Sequence, residues 1–391
     1  MSQKLFALNG DLKALREEGY FVQVKGGFLV MRDVPYVDAQ RQVRRGTLIS
    51  SLALAGEQTR PPDTHVVHFD GDFPCDQAGR PLDQIRLVGQ PANLGSGLTA
   101  RHSFSSKPEG GYRNYHQKMS TYASILCGPA TTLEPGASPR SLTVPQDEEH
   151  SPFNYTDTAS GRAGVGFLAE RLSSERVAIV GLGGTGAYVL DFVAKTPVRE
   201  IRLFDGDELL QHNAFRAPGA ASLDELRDAP LKVDYLKGIY SRMHRGIVAH
   251  PVFLDAGKLG LLDGVTFAFI CIDDGPAKRV LVDRLEAMDL PFIDVGMGLE
   301  LVDGSLGGIL RVTASTPGKR EHVQQGRIPF GGGGKDDVYS SNIQVADLNA
   351  LNATLATIKW KKIRGFYRDL EREHHSTYTT DGNMLLNGDV P

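Results

Sequence analysis

VAIVGLGGTG at residues 177–186, followed by EIRLFDGD at residues 200–207 and QHNAFR at residues 211–216, decides how this chain is read. Val177, Ile179 and Val180 make a buried strand. Gly181, Gly183, Gly184 and Gly186 then let the backbone turn tightly and approach phosphate oxygens where a helix begins. The helix is visible in Tyr188, Val189, Phe192 and Val193, which recur at helical spacing, and Pro197 closes the pattern after Lys195.

A strand, a glycine turn and a helix fit any nucleotide, NAD included. The second strand ends in Asp205, where a ribose-binding acid belongs in either case. What NAD does not need is the continuation, a second carboxylate at Asp207 and then Asn213 and Arg216. Carboxylates, an amide and a guanidinium converging on one strand end suit a triphosphate with its metal ion. Mg²⁺ prefers oxygen ligands, and phosphates prefer a bidentate cation.

With GLGGTG at residues 181–186, DGDELLQHNAFR at 205–216, Lys232 in DAPLKVDYL and CIDDGPAKR at 271–279, the chain resembles the ThiF/MoeB-like adenylating enzymes, the family that includes the ubiquitin-activating enzymes. The resemblance covers residues 170–365. It implies a doubly wound, mostly parallel Rossmann-like sheet and a site in which Asp205 holds the ribose and Asn213 and Arg216 hold phosphates. Lys232 would bind the phosphate being cleaved, and Asp273 would hold Mg²⁺, with Asp274 as the alternative because the family usually has one aspartate there. Ala217 stands where a glutamine is common. In the family an arginine from an N-terminal arm reaches the partner subunit's site, and Arg162 is the matching candidate. The implied reaction is ATP-dependent adenylation of the C-terminal glycine of a ubiquitin-like or sulfur-carrier protein. The implied setting is a homodimer in a bacterial conjugation or sulfur-transfer pathway, with a conjugating enzyme as a further partner.

Many ubiquitin-activating enzymes pass the acyl group to a cysteine on a crossover segment. The matching stretch here, residues 319–340, has none, and the chain's cysteines are Cys75, Cys127 and Cys271. Cys271 ends the apolar strand TFAFICI and reads as an inert buried thiol. Cys75, in GDFPCDQAGRP, is expected to be the more exposed; it is the remaining acyl acceptor, set against the plainer reading of a loop cysteine with no base beside it. Cys127 reads as packed. Without a C-x-x-C pair, neither the structural zinc of many relatives nor a disulfide framework is expected. His65 and His68 would point to opposite faces of a strand. His374 and His375 read as surface, and the glycines at 331–334 as a linker.

Three thiols, no recognisable signal peptide and no apolar run of about 18 residues lead to the expectation of a cytoplasmic protein off the membrane. A net charge of −4 with intermixed signs leaves no basic footprint for nucleic acid. At 391 residues, 41% of them hydrophobic, the chain has material for two domains. The expected division is an α+β specificity or partner-binding domain at residues 1–130, a linker or arm at 131–165 and the adenylation domain at 166–391. The first of these resembles an uncharacterised domain that precedes ThiF-like domains in some bacterial proteins. Strands are expected at residues 247–253, 267–272, 292–295 and 309–313, and a helix at 278–288. Leu348, Leu351, Leu355 and Ile358 are expected to share one apolar helix face. The rival readings are an NAD-dependent oxidoreductase and a non-catalytic scaffold of the same fold.

Overall fold

Arg176–Val180 forms the strand labelled here β1, and Val177 to Val180 are almost wholly buried. Its parallel neighbours are β2 (Glu200–Phe204), paired Val177 to Ile201, and β4 (Phe267–Ile270), paired Val177 to Phe267. These strands belong to a computed structural model that describes residues 2–141, 151–155, 157–163, 165–331 and 343–390. The chain divides into two compact units, Met1–Glu170 and Arg171–Pro391.

The second unit holds the glycine turn. Adding β3 (Ile247–His250), β5 (Phe292–Val302), β6 (Ser305–Ser315), β7 (His375–Thr379) and β8 (Met384–Gly388) completes an eight-stranded sheet ordered β3-β2-β1-β4-β5-β6-β7-β8. The first five strands of that order are parallel, and the last three antiparallel. Helices α1 (Gly184–Val193) and α4 (Ala346–Ile363) cover one face, where Val189, Leu190, Ala353, Ala356 and Trp360 join the strands in one core. Helix α3 (Gly275–Ala287) covers the other through Leu281, Val282 and Leu285. Covered on both faces, the central strands β1 and β4 read as nearly continuous apolar runs, RVAIV and FAFI. Each fully buried Val, Leu or Ile contributes about 2 kcal/mol. The fold is therefore the doubly wound sheet that the motifs imply, and the order reverses beside β1, where α/β proteins bind ligands.

The buried face of α4 differs from expectation. Asn349, Asn352, Ala353, Ala356 and Trp360 face the core, while Leu348, Leu351 and Leu355 are half-buried and Ile358 is exposed. The small alanines let α1 approach closely. The asparagines find partners inside: Asn349 Oδ1 accepts from Thr185 Oγ1 at 2.8 Å and Asn352 Nδ2 donates to Gly296 O at 3.0 Å, while Asn352 Oδ1 is buried without a hydrogen bond. Pattern reading ranks leucine above asparagine and so selects the wrong side.

The first unit is α+β. Its antiparallel sheet has six strands, among them Phe28–Val37, Val43–Ser51 and Val66–Asp70, and the helix Tyr115–Leu133 contributes Tyr115, Met119, Tyr122 and Leu126 to the core. Lys118 from that helix is fully buried and donates to Ser50 Oγ at 2.8 Å. Burial pushes its ammonium down to about 8. The short helix Gly166–Ala169, expected to open the second domain, packs on the hairpin at Leu94 and Gly95 and belongs to the first unit. Among the described residues no helix is long and apolar enough to cross a membrane.

Candidate functional site

Gly181 follows β1 with φ +88°, a conformation that side chains resist. A Cβ there would meet Cys271 O at 2.7 Å, so the turn lies directly against the residues that end β4. Gly186 abuts the Gly181 carbonyl and the Cys271 side chain, and Gly184 abuts Asn349 of α4. Gly183 faces open space. The four glycines thus divide their work: three allow close packing, and the fourth leaves the turn accessible.

Asp205 follows β2 and fastens the turn to it. Its Oδ2 accepts from Leu182 N at 2.6 Å, and its Oδ1 from Asp207 N at 2.9 Å. Two backbone donors on one buried carboxylate fix its orientation. Lys232 opens helix α2 (Lys232–Tyr240) and is also buried. Its Nζ donates to Asp207 Oδ2 at 2.7 Å and lies 3.8 Å from Asp205 Oδ1. One of its three ammonium donors is engaged there, which leaves donors for an anion.

Asn213 sits in the short helix Gln211–Ala214, where its Oδ1 accepts from Leu210 N at 2.9 Å. Its first task is therefore to shape the loop. Leu182, Gly183, Asn213, Ala217 and Lys232 line one pocket, which brings the glycine turn, the loop and the lysine together. Beside it, Arg216 is half-buried, and its Nε is buried without a hydrogen bond. A desolvated guanidinium nitrogen lacking a partner costs roughly 1–3 kcal/mol, a cost that a bound anion removes. Asn349 ties these parts together, since Thr185 Oγ1 donates to its Oδ1 at 2.8 Å and its Nδ2 lies 3.5 Å from Arg216 O. The sequence reading missed Asn349; its only signal was an amide in the middle of an apolar helix.

On the β4 side the two aspartates separate. Asp274 caps α3, its Oδ1 accepting from Ala277 N at 2.9 Å, and Asp273 precedes it, exposed. Below them a buried ion cluster fixes α3 to the sheet. Asp294 of β5 is 2.9 Å from Lys278 Nζ, and its Oδ2 accepts from Arg311 at 2.6 Å. Asp294 in the apolar run PFIDVG was the available signal, because a charge in a buried strand requires a partner. Among the described residues no group of three or more His, Cys, Asp or Glu side chains is placed to hold a metal. A phosphate-bound Mg²⁺ needs only one or two carboxylates.

Cysteine chemistry is not favoured. Cys75, expected to be exposed, is buried at 2%, because bridges to Val37 and Pro81 draw its loop into the sheet. Burial raises its thiol, and Asp76 raises it further, so the thiolate an acyl acceptor needs is suppressed. Burial also pushes the Cys271 thiol far up, with Asp294 adding to it. Cys127 lies buried within the long helix of the first unit. His375, expected at the surface, is buried in β7 with Nδ1 3.0 Å from Thr313 Oγ1, and burial lowers its imidazolium to about 4. Arg162 ends the helix Thr158–Arg162 in the first unit, and its side chain lies outside the described residues, as do residues 332–342 of the glycine-rich stretch.

The site is thus a glycine turn at the switch point of a doubly wound sheet, with acids, a lysine and an arginine whose Nε lacks a partner around it. Residues 159–321 match the ThiF family, and residues 10–158 match a domain of unknown function, DUF6791. The chain thus carries a ThiF-family domain behind a DUF6791 domain. It is 25% identical over 156 residues to ubiquitin-like modifier-activating enzyme 5 of Culex quinquefasciatus, covering 37% of this chain and 39% of that protein. The protein of the same name from Aedes aegypti is 23% identical over 201 residues, 48% of this chain and 50% of the relative. The chain therefore spans half or less of the length of these relatives. Among solved structures, E. coli MccB superposes with a TM-score of 0.46 at 16% identity, covering 62% of this chain and 72% of MccB. PaaA gives 0.44 at 17%, with 68% and 86% covered.

Proposed function

We propose that this chain is an adenylating enzyme that uses ATP to activate the C-terminal carboxylate of a ubiquitin-like or sulfur-carrier protein. The observation that carries the proposal is Arg216, whose Nε is buried without a partner beside a pocket that Asn213, Lys232 and the glycine turn share. NAD chemistry gives that guanidinium and Lys232 no work, whereas a triphosphate gives work to both. The names of the curated relatives, ubiquitin-like modifier-activating enzymes, supply the class of partner.

In this reading Asp205 binds the ribose hydroxyls, and the open side of the turn at Gly183 receives phosphate against backbone N–H groups. A carboxylate oxygen of the protein substrate attacks the α-phosphorus. The new O–P bond forms as the bond from the α-phosphorus to the bridging oxygen breaks, and pyrophosphate leaves with that electron pair. The nucleophile is already an anion, so no general base is needed. The barrier is chiefly one of charge, which Arg216 and Lys232 lower by fixed placement. Mg²⁺, held by Asp273 with Asp274 as the alternative, would neutralise the departing pyrophosphate when bound. Asp274 is already committed to capping α3, which favours Asp273. The reading further includes a homodimer, a cytoplasmic setting, a bacterial conjugation or sulfur-transfer pathway, and an acyl group that leaves this chain as the adenylate, since burial suppresses the Cys75 and Cys271 thiolates and Cys127 is packed within a helix.

Melting in the presence of Mg-ATP or NAD tests the proposal, because a ligand that binds only the native state raises the midpoint. The expected result is a rise with Mg-ATP and none with NAD. A rise with NAD alone would overturn the reading in favour of an oxidoreductase, and no rise with either would favour a scaffold.

A further inference from the structure

We propose that Phe253 is the platform on which the purine ring of the bound nucleotide stacks, an inference that rests on Asp205 holding the ribose. Phe253 follows β3 and is 63% exposed. Its ring nevertheless lies against Gly206. A Cβ at Gly206 would meet its Cε2 at 2.6 Å, Cδ2 at 2.8 Å and Cζ at 2.9 Å, so the absence of a side chain at 206 is what lets the ring lie there. Gly206 stands between Asp205, fastened to the glycine turn, and Asp207, paired with Lys232.

The strand ends beneath are aromatic as well. Phe204 and His250 stack with centroids 4.7 Å apart and planes 7° from parallel. His250 Nε2 is buried without a hydrogen bond. A base joined to a ribose at Asp205 is one sugar away from this corner. Phe253 offers an exposed aromatic face at that corner, held against Gly206 next to Asp205, and stacking on an aromatic face is a general way to hold a base. A face recognises ring area rather than ring edge substituents. The ligand class is therefore a purine nucleoside triphosphate, with pyrimidine nucleotides held more weakly.

Calorimetric titration of the full chain with Mg-ATP, Mg-UTP and inorganic tripolyphosphate tests this, using wild type, Phe253→Ala, Phe253→Leu, Phe253→Trp and Gly206→Ala. Removing a base stack is expected to weaken ATP about tenfold in Phe253→Ala and Phe253→Leu, with Phe253→Trp retaining wild-type affinity. Gly206→Ala, which displaces the ring, should resemble Phe253→Ala. Tripolyphosphate affinity should be the same in wild type and the three Phe253 variants, a separation that a merely structural role would not produce. Equal ATP affinity in wild type and Phe253→Ala would overturn the stacking assignment while leaving the adenylation reading intact. A loss of tripolyphosphate binding equal to that of ATP would overturn it too, by showing a distorted site. If wild type binds neither ATP nor tripolyphosphate, the nucleotide reading fails and the stacking role with it.

Discussion

On the β2 side of the glycine turn, Asp205 accepts two backbone hydrogen bonds, and Lys232 reaches Asp207 from inside the protein. On the β4 side, Asp273 and Asp274 stand exposed at the start of α3, and the burial lies one turn deeper, in the cluster of Lys278, Asp294 and Arg311. The contrast shows two ways of placing charge at the end of a strand. In the proposed reading the first side uses the same groups to build the turn and to meet the ligand, so substitutions there are expected to loosen the fold as well as to remove function. In the same reading the second side separates the tasks, with a buried ion cluster for structure and the exposed Asp273 proposed to hold the metal.

Substitutions can break that contrast, beginning with Lys232→Met. It leaves the buried Asp205 carboxylate near Asp207 with no cation between them, and stripping one partner from a buried ion pair costs about 3 kcal/mol. Urea unfolding should show a loss of that size together with lost ATP binding; full stability with lost binding would show that the lysine serves the ligand alone. Next comes Asp274→Ala, which removes a helix cap and should cost about 1 kcal/mol while ATP affinity holds. If the Mg²⁺ response disappears instead, the metal role belongs to Asp274. Asp273→Ala should change stability by less than about 0.5 kcal/mol, as for other exposed sites. A larger loss would mean that Asp273 is structural after all.

The smallest expected signal comes from the thiols. Burial holds Cys75 and Cys271 protonated, so alkylation near neutral pH should be slow in the native protein and fast once it is unfolded. Rapid native-state modification of Cys75, mapped by mass spectrometry, would restore it as an acyl acceptor.

The half of the site that was legible is the contiguous half. The glycine turn, Asp205, Asp207, Asn213 and Arg216 lie within 36 residues of one another, and their placement at one strand end follows from strand, turn and helix rules that act locally, whereas the roles proposed for them rest on the family resemblance. Asn349 meets Thr185 across 164 positions, and no local pattern predicts that contact. The burial of Cys75 likewise depends on Val37, far back in the chain, and the seat of Phe253 on Gly206 depends on two separate strand ends. The face of α4 was misread for a related reason. Hydrophobic periodicity ranks side chains by transfer energy and is blind to an asparagine whose amide is satisfied inside.

The most direct test of the divided site is calorimetric titration of ATP into wild type and Asp273→Ala, each with and without Mg²⁺. The account predicts that Mg²⁺ tightens ATP binding to wild type, that this gain disappears in Asp273→Ala, and that the two proteins bind metal-free ATP with similar affinity. An equal Mg²⁺ gain in both proteins, in a variant whose fold is intact, would contradict it.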